Sequence, residues 1–207
     1  MLGKNLLTRL RRGEPPSLID SQRRFEEGVR LANQGLDAEA IVALKQAARA
    51  DPDCADTQLE LGVAYDKAGR PNDAIKAYLA AIEIRPDLVG AYKNLGMAYD
   101  GLGYFRDALK AYTRAIVLAA NDPELRNGLG TAYFNVGSYV EARKAYQQAT
   151  KIEPDNARAH FGLGLVYLDL DEKELALEQH VKLEGLNENE FAFQLLDKIQ
   201  RQNRRAS

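Results

Sequence analysis

An all-α fold of stacked helix–turn–helix units is what this sequence predicts, on three observations. A set of residues returns every 34 positions without a break in phase, which marks an array of similar supersecondary units. Within each period, apolar residues recur at helical spacing in two stretches, usually parted by glycine. The composition is rich in Ala and Leu, lacks Trp and has only seven Pro in 207 residues, which favours helix over strand.

The register is set by Leu61-Gly62, Leu95-Gly96, Leu129-Gly130 and Leu163-Gly164. Three residues after each glycine stands a tyrosine (Tyr65, Tyr99, Tyr133, Tyr167), and twelve after it an alanine (Ala74, Ala108, Ala142, Ala176). Tyr78, Tyr112 and Tyr146 follow four residues later, with His180 in that place in the last copy. A weaker copy, with Gly28, Leu31, Ala40, Leu44, Ala47 and Pro52, precedes these. Five units result, at 21–54, 55–88, 89–122, 123–156 and 157–190.

Each part of a unit has a physical reason. In the unit 55–88 the first stretch carries Leu59, Leu61, Ala64, Tyr65 and Ala68, and the second Ala74, Ile75, Tyr78, Ala81 and Ile82. Gly69, Gly103 and Gly137 fall between the stretches, where a left-handed C-terminal cap suits glycine. Gly62 and Ala74 are small enough to let two helices approach closely. Pro86 and Pro154 close their units, because proline cannot continue a helix. The array departs from its own pattern at Glu27, Ala120, Asp171 and Glu188. Atypical end units are expected, because their outer faces meet water. Residues 191–203, with Phe191, Leu195, Leu196 and Ile199, predict a C-terminal capping helix, followed by a disordered end to 207.

The pattern Leu-Gly-x-x-Tyr, Gly, Ala-x-x-x-Tyr-x-x-Ala, Pro resembles the tetratricopeptide repeat over about 170 residues. That resemblance implies a right-handed α-solenoid whose first helices line a concave groove, and a non-catalytic protein- or peptide-binding scaffold or adaptor. By repeat position, the groove is expected to hold Glu60, Val63, Asp66, Lys93, Asn94, Met97, Asp100, Asn127, Thr131, Phe134, Asn135, Arg158, Phe161 and Leu165. Carboxylates outnumber basic groups there, so the expected partner segment has apolar anchors and some positive charge. Gly128 and Gly162 also map to the groove floor, where they serve either close approach of a ligand to the backbone or relief of crowding between helices. Some family members grip a C-terminal carboxylate with a Lys-Asn-Asn-Lys-Arg clamp. Its first two places fall here on Phe25 and Val29, or on Leu59 and Val63, so a chaperone co-factor of that sort is disfavoured.

Other chemistry finds little support in the sequence. The net charge of −2 disfavours a nucleic-acid binder. Cys54 is alone, so no internal disulfide forms, and packing is its expected role. His160 and His180 fall at positions that pack the two helices of one unit, and two imidazoles make a poor metal site. Gly128-Leu-Gly130 and Gly162-Leu-Gly164 lie within helices, which removes the strand–loop–helix context of a dinucleotide fingerprint. No catalytic residue, cofactor or metal is expected. Residues 1–20 read as a basic tail in which Leu2, Leu6, Leu7 and Leu10 can form one face of a short amphipathic helix, with Pro15-Pro16 separating it from the array. A solvated end is preferred there to a membrane-surface anchor. Cytoplasmic location is the default, since no signal or spanning segment is evident. The alternatives to an adaptor are a self-associating, membrane-peripheral assembly scaffold and an accessory subunit of an enzyme complex; the oligomeric state stays open.

Overall fold

The computed structural model describes residues 16–206. Among them the chain forms eleven α-helices and no strand: α1 (Pro16–Asn33), α2 (Asp37–Ala50), α3 (Ala55–Lys67), α4 (Pro71–Ile84), α5 (Val89–Gly101), α6 (Phe105–Leu118), α7 (Pro123–Asn135), α8 (Tyr139–Ile152), α9 (Ala157–Asp169), α10 (Lys173–Gly185) and α11 (Asn189–Ala206). These fall into two compact units, one ending at Ala98 and one beginning at Tyr99, so that α5 contributes to both.

The turns follow from backbone chemistry. Gly69, Gly103 and Gly137 take φ of 70°, 78° and 77°, as the sequence led us to expect. The left-handed residue closes each first helix with a bond from two residues beyond its last turn, such as Arg70 N–H to the Tyr65 carbonyl at 2.9 Å and Ser138 N–H to Tyr133 at 2.9 Å. Asp171, at the same place in the last hairpin, adopts φ 58° without being glycine, and Glu172 N–H still reaches the Tyr167 carbonyl at 2.8 Å. Helix starts use proline in the first turn of α4 and α7, where the missing N–H costs nothing. Asp122 caps α7 by accepting from the Glu124 and Leu125 amides, and Asn156 caps α9 by accepting from Ala159.

Both units are built on alanine-lined contacts. Ala40, Ala74, Ala108, Ala142 and Ala176 are fully buried, as are Ala47, Ala81, Ala115 and Ala149 two turns further along the same face. Large side chains fill what the alanines leave: Leu44, Leu61, Tyr65 and Tyr78 in the first unit, and Tyr146, Leu163, Val166, Tyr167, Leu183 and Leu195 in the second. Polar braces join successive hairpins at the periphery, including Arg143 to Glu172 at 3.1 Å and Lys182 to Asp155 at 3.3 Å.

The two ends of the array differ from expectation. Residues 16–20, assigned to the tail, belong to α1, which Pro16 starts instead of separating. Its fixed φ suits a first helical turn, Ile19 is buried, and Ser21 Oγ donates to the Ala47 carbonyl at 3.0 Å. The amphipathic segment 2–12 lies outside the described residues. At the other end α11 continues to Ala206, where disorder was expected. Buried Leu195 and Ile199 anchor it, and Arg201 pairs with Asp197 one turn earlier at 2.9 Å.

Candidate partner-binding surface

On the first helix of each hairpin, the residues expected to line a groove recur at three- and four-residue spacing, which places them on one face of that helix. In the first unit these are Glu60, Val63 and Asp66 on α3 and Lys93, Asn94 and Met97 on α5. All are half-buried except Met97, which is 58% exposed. Asp66 accepts a 2.6 Å hydrogen bond from the Tyr78 hydroxyl on α4. Burial raises the Asp66 carboxyl above its ordinary range, against the lowering effect of that bond. Burial also raises Glu60, with Lys67 opposing and Asp56 reinforcing. Burial and the neighbouring Asp66 hold the Tyr78 hydroxyl far above the usual tyrosine range, so it remains a donor.

The second unit repeats this arrangement once and then changes it. Asp100 on α5 meets the Tyr112 hydroxyl from α6, and burial pushes its carboxyl up to about 6 despite that hydrogen bond. One hairpin later Phe134 takes the aspartate position. The Tyr146 hydroxyl instead lies 3.0 Å from Thr131 Oγ1, and burial pushes that tyrosine up to about 12. From there the face turns apolar. Phe134 packs on Tyr139 with ring centroids 5.4 Å apart, and Phe161 stacks on Phe191 of α11 at 5.0 Å. Phe134, Phe161 and Leu165 are only partly buried against the core of this unit. Asn135 and Arg158 are exposed at its margin.

One expectation about this face changes, and one of two alternatives for its glycines is favoured. Asn127 is 9% exposed, and its amide donates to Asn156 Oδ1 at 2.8 Å. The same oxygen caps α9 through the Ala159 amide, so Asn127 braces two hairpins and is not displayed to a ligand. Gly128 and Gly162 serve close packing. A Cβ on Gly128 would stand 2.5 Å from the Tyr112 ring, and one on Gly162 would stand 2.4 Å from the Tyr146 ring. Tyr112 and Tyr146 thus lie in slots floored by a glycine of the following hairpin, whereas Tyr78 lies against Gly62 of its own hairpin. The sequence reading missed the tyrosine tips. The tyrosines looked like core, yet their hydroxyls finish in polar partners on the first helices. A signal was present: an aspartate stands twelve residues before Tyr78 and Tyr112 but not before Tyr146.

Both histidines have partners within the fold. His160 lies 2.8 Å from both Gln179 Oε1 and the Pro154 carbonyl, and His180 lies 3.0 Å from the Ala192 carbonyl. Cys54, partly exposed, occupies the residue before α3. No helix among the described residues is long and apolar enough to cross a membrane.

Comparison with known proteins agrees with the repeat. Models described as tetratricopeptide repeat match residues 34–97 and 91–126, and one described as TPR repeat matches 131–171. No match was found among curated proteins. Of the solved structures, a crystal structure of MamA is similar at 29% identity and TM-score 0.74, over 79% of this chain and 95% of that one. A crystal structure of MamA protein is similar at 28% identity and TM-score 0.76, over 82% of this chain and 92% of that one. MamA 41-end from Desulfovibrio magneticus RS-1 matches at 21% identity and TM-score 0.78, over 82% and 96%, a likeness of fold alone.

Proposed function

Starting from a chain that belongs to the tetratricopeptide repeat family, we propose that this protein is a non-catalytic scaffold or adaptor holding a segment of another protein against its first helices. The observation that carries this is the partly buried row Phe134, Phe161 and Leu165 on α7 and α9. Side chains of this size are ordinarily driven fully into a core. Here they rim the core and present apolar surface, and Asp100 holds the repeat position of Phe134 one hairpin earlier. A partner segment with apolar anchors gains by covering that row, and positive charge on it complements Asp100. In the first unit, taken by itself, Met97 presents an exposed and adaptable apolar side chain on α5.

The test is capture from native lysate by the immobilised protein, followed by mass spectrometry. The control is a folded variant carrying Asn94→Ala, Met97→Glu and Phe134→Glu. A partner held by the wild type and lost by the variant supports the first-helix face. Unchanged capture by the variant refutes it and moves binding to another surface.

A further inference from the structure

The last two helices carry large apolar side chains on the outside of the second unit. Phe193 on α11 is 73% exposed, and Val181 and Leu177 on α10 are 63% and 42% exposed. The outer face of an end unit is ordinarily polar, and apolar side chains gathered there mark an interaction site. These three border one groove. The three-residue connection Leu186 to Glu188 makes α10 and α11 antiparallel neighbours, and His180 Nδ1 stands 3.0 Å from the Ala192 carbonyl where they meet. One residue further along each helix the side chain has turned by about 100°. In antiparallel helices those turns run in opposite senses, so Val181 and Phe193 come to the same side of the pair. Leu177 lies one turn before Val181, and half-buried Leu196 one turn after Phe193.

Carboxylates flank this apolar floor. Exposed Glu174 and Glu178 stand three residues before Leu177 and Val181, and exposed Glu190 three before Phe193. Asp197, one turn after Phe193, already holds Arg201 at 2.9 Å. Lys182 is drawn off to Asp155 of the preceding connection at 3.3 Å. The groove also continues an interface the chain uses internally. On α8 the fifth and ninth residues engage the next hairpin: Arg143 pairs with Glu172 at 3.1 Å, and Gln147 donates to the Tyr167 hydroxyl at 3.4 Å. The fifth and ninth residues of α10 are Leu177 and Val181, and the fifth of α11 is Phe193. Positions that dock one hairpin on the next have become apolar where, among the described residues, no helix follows.

We propose that the outer groove between α10 and α11 seats an amphipathic helix of a partner protein, with an apolar stripe flanked by lysine or arginine. The stripe covers Leu177, Val181 and Phe193, in the manner of a helix laid in a groove. Its basic margins complement Glu174, Glu178 and Glu190. This surface is separate from the first-helix face proposed above, so the scaffold holds two partner elements.

The experiment uses the full chain and fluorescein-labelled helical peptides, read by fluorescence anisotropy. One peptide places leucines on a single helical stripe among lysines, the second replaces every lysine by glutamate, and the third keeps the first composition with the stripe scrambled. The wild type should bind the first and neither of the others. Phe193→Ser with Val181→Ser should weaken that binding by about tenfold or more. Both side chains are exposed, and a melting curve verifies that the variant is folded. Glu174→Gln with Glu178→Gln should weaken the first peptide and flatten its salt dependence. Failure of the wild type to bind the first peptide overturns the proposal, as does equal binding of the glutamate or scrambled peptide, or binding that survives the serine variant. Phe134→Ser separates the two surfaces: it should leave this peptide unaffected, and loss of binding there would place the peptide on the first-helix face and remove the end groove. Light scattering of the chain alone gives the last arm. A mass that rises with concentration in the wild type but not in the serine variant would assign the groove to a second copy and overturn the partner helix.

Discussion

Replacing Gly162 by alanine sets helix propensity against packing, and packing should win. An interior glycine costs a helix about 1 kcal/mol relative to alanine, so propensity alone makes Gly162→Ala stabilising. The slot says otherwise. The new Cβ would sit 2.4, 2.6 and 2.8 Å from three atoms of the Tyr146 ring, where carbon atoms pack at about 3.5–4.0 Å. The ring has little room to retreat, because its other side faces Gly130, where a Cβ would be only 2.7 Å away. Overpacking of this kind costs about 1–3 kcal/mol; with contacts this short from three ring atoms a cost of about 2 kcal/mol is expected, and the propensity gain of about 1 kcal/mol leaves a net loss of about 1 kcal/mol. For a chain of this size that lowers the melting temperature by about 2–4 °C. The assay is circular dichroism under urea and heat. Gly90→Ala is the control, since its Cβ would meet only Leu59 Cδ2 at 3.5 Å; it should gain up to about 1 kcal/mol. In a Tyr146→Ala background the clash disappears, and Gly162→Ala should become stabilising. A single Gly162→Ala variant as stable as the wild type, or the same loss with Tyr146 truncated, would refute the slot.

Other perturbations test the remaining interactions. Asp100→Asn should stabilise the protein at pH 7.5 and lose that advantage by pH 3.5. The Asp100 carboxyl is raised from 3.8 to about 6 in the folded chain, so the native state binds its proton more tightly, and stability is lost as pH rises through that window. The full shift corresponds to about 3 kcal/mol; because Asp100 is partly exposed, about 1 kcal/mol is expected. A stability difference independent of pH in melts across that window would exclude this origin. Asp171→Gly should add about 0.5–1 kcal/mol by removing a side chain from a left-handed position, at the expense of a weak 3.5 Å pair with Lys173. A lower urea midpoint would show that the pair outweighs the backbone. Asn156→Ala removes the cap of α9 and orphans the Asn127 amide, with an expected loss of about 1–3 kcal/mol. Asn127→Ala in the same background should then add little; additive losses would mean the two asparagines act independently.

The binding face was legible in part. Periodicity identified the first-helix positions, and Asp66, Asp100, Thr131, Phe134, Phe161 and Leu165 remain on partly accessible surface there. It could not tell which of these residues the chain already uses. Asn127 and Thr131 stand one helical turn apart on α7. The first is consumed by Asn156, 29 residues on, and the second reaches Tyr146, 15 residues on. Repeat position specifies a direction on a helix but not the length or chemistry of the side chain that arrives from the neighbouring hairpin.

Alone, the sequence determined what depends on neighbours a few residues away: all-helical hairpins in a 34-residue phase, with left-handed glycine at Gly69, Gly103 and Gly137. Helical spacing, caps and turn glycines act within a few residues, so they can be read in order along the chain. Tertiary structure decided the roles that depend on two hairpins meeting. It made Gly128 and Gly162 floors for tyrosine rings, and it sealed one oxygen of Asp100 without a donor. It also let Asp171 adopt the backbone of a glycine and let α1 begin at Pro16. The physical reason is the same in each case: desolvation and close contact belong to the space between helices, and their sign depends on every side chain that enters it.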